Sequence, residues 1–179
     1  MELTSFMKNK ALFLDRDGII NLDHGYVYKI EDFEFTQGIF ELVSYFVKHD
    51  FLIFIVTNQS GIGRGYYTAE DFNTLTSWML SKFEEHHITI QEVYHCPHTP
   101  DAQCDCRKPK IGMIETCLKQ YNVDLNQSWL IGDKPSDIQL ALNAKIGKSI
   151  AISETRLSGS TYTFPNIQTC QEMITSIKI

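Results

Sequence analysis

The sequence predicts an α/β protein: a doubly wound, mainly parallel sheet flanked by helices, with no separate cap domain. Three observations predict it. Short, nearly continuous apolar runs recur along the chain, as in strands buried on both faces. Stripes of apolar residues at helical spacing separate them. The interval between the first two runs holds only a polar, aromatic loop (21–35) and one helix, which is too little chain for a lid. At 179 residues the chain fits one domain, 1–179, with its core over about 8–152.

The elements follow in order. Ala11–Leu14 is the first strand. Ile39, Leu42, Val43, Phe46 and Val47 make the first helical stripe, and Phe51–Val56 the second strand. Phe72, Leu75, Met79 and Phe83 form a longer helix, opened by Thr68 as N-cap with Asp71 three residues on, the spacing of a capping box. Ile90–Tyr94 is a third strand. Ile111, Ile114 and Leu118 mark a helix, Trp129–Ile131 a strand, Ile138, Ala141 and Leu142 a helix, and Ile150–Ile152 a strand. Ser153–Thr163, rich in Ser, Thr and Gly, reads as a loop before a short last helix, so 153–179 is expected to be loop and helix.

Four polar clusters sit at the ends of these runs: Asp15-Arg16-Asp17-Gly18, Thr57-Asn58-Gln59, Arg107-Lys108 and Gly132-Asp133-Lys134-Pro135-Ser136-Asp137. In open α/β sheets ligands bind beyond the carboxyl ends of the strands, where Asp15, Thr57 and Asp133 all fall. Two carboxylates, a hydroxyl, a cation and a third carboxylate are what metal-assisted phosphoryl transfer through an aspartate requires. An Asp-x-Asp before glycine is by itself more often a turn. Three carboxylates converging at one sheet edge would repel one another without a cation.

Bulk properties exclude other classes. Net charge is −6 with basic residues scattered, so no phosphate-backbone footprint for nucleic acid is present. The longest apolar run, Phe51–Val56, is too short to span a membrane, and Met1–Lys10 lacks a signal-peptide core, so a cytoplasmic protein is expected. No coiled-coil or interface stripe is apparent, and a monomer is expected. Of five cysteines, three crowd between Cys96 and Cys106. Cys96-x-His98-x5-Cys104-x-Cys106 supplies three thiolates and an imidazole, a soft tetrahedral set suited to a structural Zn2+ with no open position. Such an ion would pin a loop with few apolar residues and deliver Arg107 and Lys108 directly after its last ligand.

These motifs together resemble the haloacid dehalogenase superfamily of aspartate-nucleophile phosphatases, through nearly the whole chain to about Ile152. Within it, Asn21–Val27, Phe33–Phe35, Thr57–Gly61, Arg64-Gly65, Cys96–His98 and Cys104–Pro109 resemble the histidinol-phosphatase-related branch that includes the heptose 1,7-bisphosphate phosphatases. The resemblance implies Asp15 as nucleophile, Asp17 as general acid and base, and Thr57 and Lys108 as partners of the transferring phosphoryl group. It implies a catalytic Mg2+ held by the Asp15 carboxylate, the Asp17 main-chain carbonyl and Asp133. It assigns substrate contacts to Asp23, His24, Gly25, Tyr26, Asn58, Gln59, Ser60, Arg107 and Lys134. The expected partner is a small phosphorylated sugar, with histidinol phosphate as alternative substrate. A DNA 3'-phosphatase or a zinc-stabilised binding module fits less well. Asp137 can serve the metal or bond first-turn amides, the latter preferred; Arg64 is either a phosphate contact or a solvated loop arginine.

Overall fold

The computed structural model describes residues 8–179; the first seven, part of the stretch read above as lacking a signal-peptide core, lie outside the described residues. The strands are β1 (Lys10–Leu14), β2 (Phe51–Asn58), β3 (Ile90–Cys96), β4 (Trp129–Gly132), β5 (Lys148–Ile152) and β6 (Tyr162–Phe164). They form one sheet in the order β3-β2-β1-β4-β5-β6, parallel throughout. The helices are α1 (Ile39–Lys48), α2 (Ser60–Gly63), α3 (Ala69–Glu85), α4 (Gly112–Gln120), α5 (Pro135–Asn143) and α6 (Ile167–Met173).

Alternation along the central strands divides the core between the two faces. Leu12, Leu14, Ile53 and Ile55 pack with Leu42 and Phe46 of α1, Leu75 and Met79 of α3 and Ile167 of α6. Ala11, Phe13, Phe54 and Val56 face the other way, against Met113 and Cys117 of α4 and Leu140 of α5. Helices on both faces explain why β1 and β2 read as unbroken apolar runs. The expected capping box of α3 is present, with the Thr68 hydroxyl accepting from Asp71 N and the Asp71 carboxylate accepting from Thr68 N. Among the described residues no cap domain interrupts the sheet, and no helix is long and apolar enough to cross a membrane.

Some elements depart from the sequence reading. Strand β6 lies inside the expected 153–179 loop and helix; its three residues pair with β5, and Tyr162 stacks on Trp129 at 5.8 Å. So short an edge strand, preceded by Thr161, whose main chain and hydroxyl bond Ser149, carries no periodic signal. Strands β2 and β3 each run two residues beyond the expected ends, to Asn58 and Cys96, carrying polar site residues on strand backbone. In α5, Leu140 is buried while Leu142 is half exposed, so its buried stripe is turned from the one read in the sequence.

Candidate active site

The chain moves outward from β1 to β3 on one side of the sheet and from β4 to β6 on the other. The crevice where the direction reverses lies beyond the carboxyl ends of β1 and β4. Asp15 follows β1 there and Asp133 follows β4, while Thr57 is the last residue but one of β2 next door. Asp15 N donates to Ile131 O at 3.0 Å, continuing the β1–β4 ladder past the strand end and fixing the backbone of both segments.

Lys108 lies at the base of the site, buried to 4% exposure. Its Nζ donates to Asp15 Oδ1 at 2.8 Å, Asp137 Oδ1 at 2.7 Å and Val56 O at 2.9 Å, using all three ammonium protons. Burial disfavours its charge, but the Asp137 and Asp15 carboxylates outweigh this and raise its pKa. The lysine arrives there because the Asn58 side chain holds its main chain from both sides, accepting from Lys108 N at 3.0 Å and donating to Lys108 O at 3.3 Å. Asp137 accepts from Lys134 N with its other oxygen at 3.0 Å, the preferred first-turn role, and adds the Lys108 pair that sequence reasoning did not foresee.

Asp15, Asp133 and Asp137 bring carboxylate oxygens within 4.8 Å of one another. One buried lysine leaves this set with excess negative charge. Burial raises the pKa of Asp15, with Asp137 adding and Lys108 opposing. Asp133 is pushed up to about 7, first by burial and then by the Asp15 charge. Its Oδ1 is buried without a hydrogen-bond partner. Buried polar atoms are nearly always satisfied, so an orphan oxygen beside two carboxylates fits a cation, and a set of hard oxygens fits Mg2+. Gly18 shapes this corner: at φ +89° a side chain there would be strained, and its Cβ would lie 2.3 Å from Asp133 Oδ2.

Asp17 is held on the opposite wall. It accepts from Arg16 Nη2 at 2.8 and 3.0 Å, Arg16 Nε at 3.2 Å, Asn21 Nδ2 at 3.1 Å and Gln59 Nε2 at 2.9 Å. Arg16 is 1% exposed and also donates to Val27 O at 2.6 Å, tying Asp17 to the 21–35 loop. Sequence reasoning gave Arg16 no role; its only sign was a position between two aspartates. Gln59 Nε2 donates as well to Thr57 Oγ1 at 2.8 Å, and Tyr67, absent from the expected set, donates to Gln59 Oε1. Nothing in the sequence around Tyr67 marks it.

Outside these residues opens a cavity of about 260 Å³. Asp17, Asp23, Gly25, Tyr26, Asn58, Gln59, Ser60, Arg107 and Lys134 of the expected set line it, joined by Tyr67 and Ser136. His24 faces a neighbouring cleft, 4.0 Å from Glu34. Arg64 lies outside both. Lys134 Nζ pairs with Asp23 at 3.2 Å; burial works against the Asp23 charge, but the Gly25 N–H and Lys134 prevail and lower its pKa.

The cysteine cluster lies under the Arg107–Lys108 segment. His98 Nδ1 is 3.6 Å from Cys96 Sγ and 3.3 Å from Cys106 Sγ, and Cys96 and Cys104 sulfurs are 3.5 Å apart. Three sulfurs and one ring nitrogen this close, converging from the end of β3 and the following loop, fit a tetrahedral zinc. Arg107 Nη1 donates to His98 O at 3.3 Å, so the loop also orients the arginine.

A doubly wound parallel sheet with this carboxylate and lysine cluster at its switch point defines a hydrolase of the haloacid dehalogenase type. Residues 105–152 match a family model described as HAD-hydrolase-like. The chain is 53% identical to D-glycero-alpha-D-manno-heptose-1,7-bisphosphate 7-phosphatase of Campylobacter jejuni, over 86% of this chain and 88% of that protein. It is 44% identical to D-glycero-beta-D-manno-heptose-1,7-bisphosphate 7-phosphatase of Helicobacter pylori strain 26695, over 95% and 98%. A crystal structure of D,D-heptose 1,7-bisphosphate phosphatase from B. bronchiseptica, complexed with magnesium and phosphate, superposes with a TM-score of 0.81 at 26% identity, covering 93% of this chain and 98% of that one. The chain belongs to the D-glycero-D-manno-heptose-1,7-bisphosphate 7-phosphatase family, and is a phosphoric monoester hydrolase.

Proposed function

We propose that this protein removes the 7-phosphate from D-glycero-D-manno-heptose 1,7-bisphosphate through an aspartyl-phosphate intermediate, as a step toward nucleotide-activated heptose. The observation that carries the reading is the orphan Asp133 oxygen beside Asp15, next to a cavity lined by the cations Arg107 and Lys134. A substrate anionic at both ends needs such a second basic region. The organisms' own enzymes named above carry the same substrate in their names.

Asp15 attacks phosphorus, and the ester oxygen leaves with the proton that Asp17 supplies. Asp17 then takes a proton from the water that opens the acyl phosphate, which returns Asp15 as a carboxylate. Thr57 donates its hydroxyl to the transferring phosphoryl group, its oxygen fixed by Gln59. Lys108 holds Asp15 in place and offsets part of the site's negative charge. Asp15 and Asp133 would hold Mg2+, which would supply a Lewis acid that offsets the repulsion between an anionic nucleophile and an anionic phosphate. Cys96, His98, Cys104 and Cys106 would hold Zn2+, which would keep the loop that carries Arg107 and Lys108 folded.

The test is phosphate release with Mg2+ from the α and β anomers of heptose 1,7-bisphosphate and from histidinol phosphate, compared by kcat/KM. A large preference for a heptose anomer is expected; faster turnover of histidinol phosphate would overturn the substrate while leaving the chemistry.

A further inference from the structure

We infer that Tyr67 is a positioning residue for the reaction, acting through Gln59 to hold both the acid Asp17 and the hydroxyl of Thr57; this rests on the roles proposed above for those two residues. The Gln59 amide has two N–H donors and one carbonyl acceptor. Both donors converge from one nitrogen on the site, to Asp17 Oδ2 at 2.9 Å and Thr57 Oγ1 at 2.8 Å. The opposite orientation of the same amide would present Oε1 to the Asp17 carboxylate, oxygen against oxygen. The Asp17 carboxylate, which can only accept, sets the orientation of the amide, and Tyr67 Oη, 2.5 Å from Oε1, donates to the one acceptor left behind it and so holds the amide in place.

Tyr67 is built in rather than adventitious. It is 5% exposed and Gln59 2% exposed, so water does not compete for these bonds. Its ring stacks on Tyr28 at 5.1 Å and 8° between planes, from the same 21–35 loop that Arg16 ties to Asp17. Gly61 makes room for it, because a Cβ there would lie 2.1 Å from Tyr67 Cε1. The chain Tyr67–Gln59–Asp17/Thr57 therefore links an aromatic pair outside the reacting centre to two groups inside it.

Tyr67→Phe removes the hydroxyl and keeps the ring. We measure it with Gln59→Leu and the double variant, with Mg2+, on heptose 1,7-bisphosphate and on p-nitrophenyl phosphate, checking by thermal melting that each variant is folded. Loss of one buried hydrogen bond that orients others predicts kcat about tenfold lower for Tyr67→Phe on the sugar substrate, with KM within about twofold. The loss should be smaller on the aryl ester, whose leaving group departs without a proton, so that the acid role of Asp17 is not felt and only its base role and the Thr57 branch are. In the Gln59→Leu background the same substitution should change kcat by less than about twofold, because the intermediary is gone. Full kcat in Tyr67→Phe, a change confined to KM, or an equal loss in the Gln59→Leu background would each overturn the inference. Should heptose 1,7-bisphosphate prove not to be a substrate, the wild type would be inert toward it and active on the aryl ester, and the coupling between positions 67 and 59 would still be read there.

Discussion

Asp133→Asn should stabilise the metal-free protein while destroying its activity. The carboxyl of Asp133 is raised from an ordinary 3.8 to about 7 by burial and by the Asp15 charge. Between those values the folded state binds a proton that the unfolded state does not, so stability falls as pH rises through that window. A rise from 3.8 to about 7, at roughly 1.4 kcal/mol for each factor of ten, is on the order of 4 kcal/mol. Coulomb repulsion between two carboxylates within 4.8 Å gives on the order of 3 kcal/mol at an effective dielectric near 20. Partial exposure of Asp133 trims both figures, so about 1–3 kcal/mol of relief is expected from the neutral amide at pH 7.5. Urea unfolding in Mg2+-free buffer without chelator, at pH 5 and pH 7.5, measures it. The wild type should lose stability between the two, and the variant should lose less. Added Mg2+ should restore the wild type by binding the folded state alone, and leave the variant unmoved. A variant less stable than the wild type at pH 7.5 without Mg2+ would refute the account of the carboxylate cluster.

Three further outcomes are expected. Asp15→Asn should reduce turnover below detection while the circular dichroism spectrum is unchanged; residual phosphate release at the wild-type rate would exclude an aspartyl-phosphate route. Lys108→Met strands Asp15 and Asp137 without their buried counter-charge, and breaking such a pair predicts a loss of about 3–5 kcal/mol by chemical denaturation; an unchanged midpoint would refute it. Cys104→Ser should carry less than one zinc per chain by elemental analysis and lower kcat through the Arg107–Lys108 segment; unchanged zinc content would remove Cys104 from the ligand set.

The fold and the meeting of the strand-end carboxylates were largely legible because their signals are local. Buried parallel strands need unbroken apolar runs, helices need a stripe, and a carboxylate meant for a sheet edge must directly follow its strand, as Asp15 and Asp133 do. The cysteine cluster was legible by donor chemistry alone. The supporting contacts were not legible, because they join residues distant in sequence whose types are common elsewhere. Asn58 against the Lys108 main chain, Tyr67 against Gln59 and Asp137 against Lys108 depend on the packed sheet for their meeting. Strand β6 escaped because edge pairing, rather than apolar content, defines it.

The parallel sheet also decides when in folding the site comes into being. Asp15 and Asp133 come from the two central strands, which are separated in sequence by four helices and two other strands. Closing such long loops makes parallel pairing slow, and this particular closure ends by pressing like charges together. That pairing is therefore opposed by electrostatics, and a divalent ion present during refolding should act as a folding ligand, consolidating the union of the two halves of the sheet.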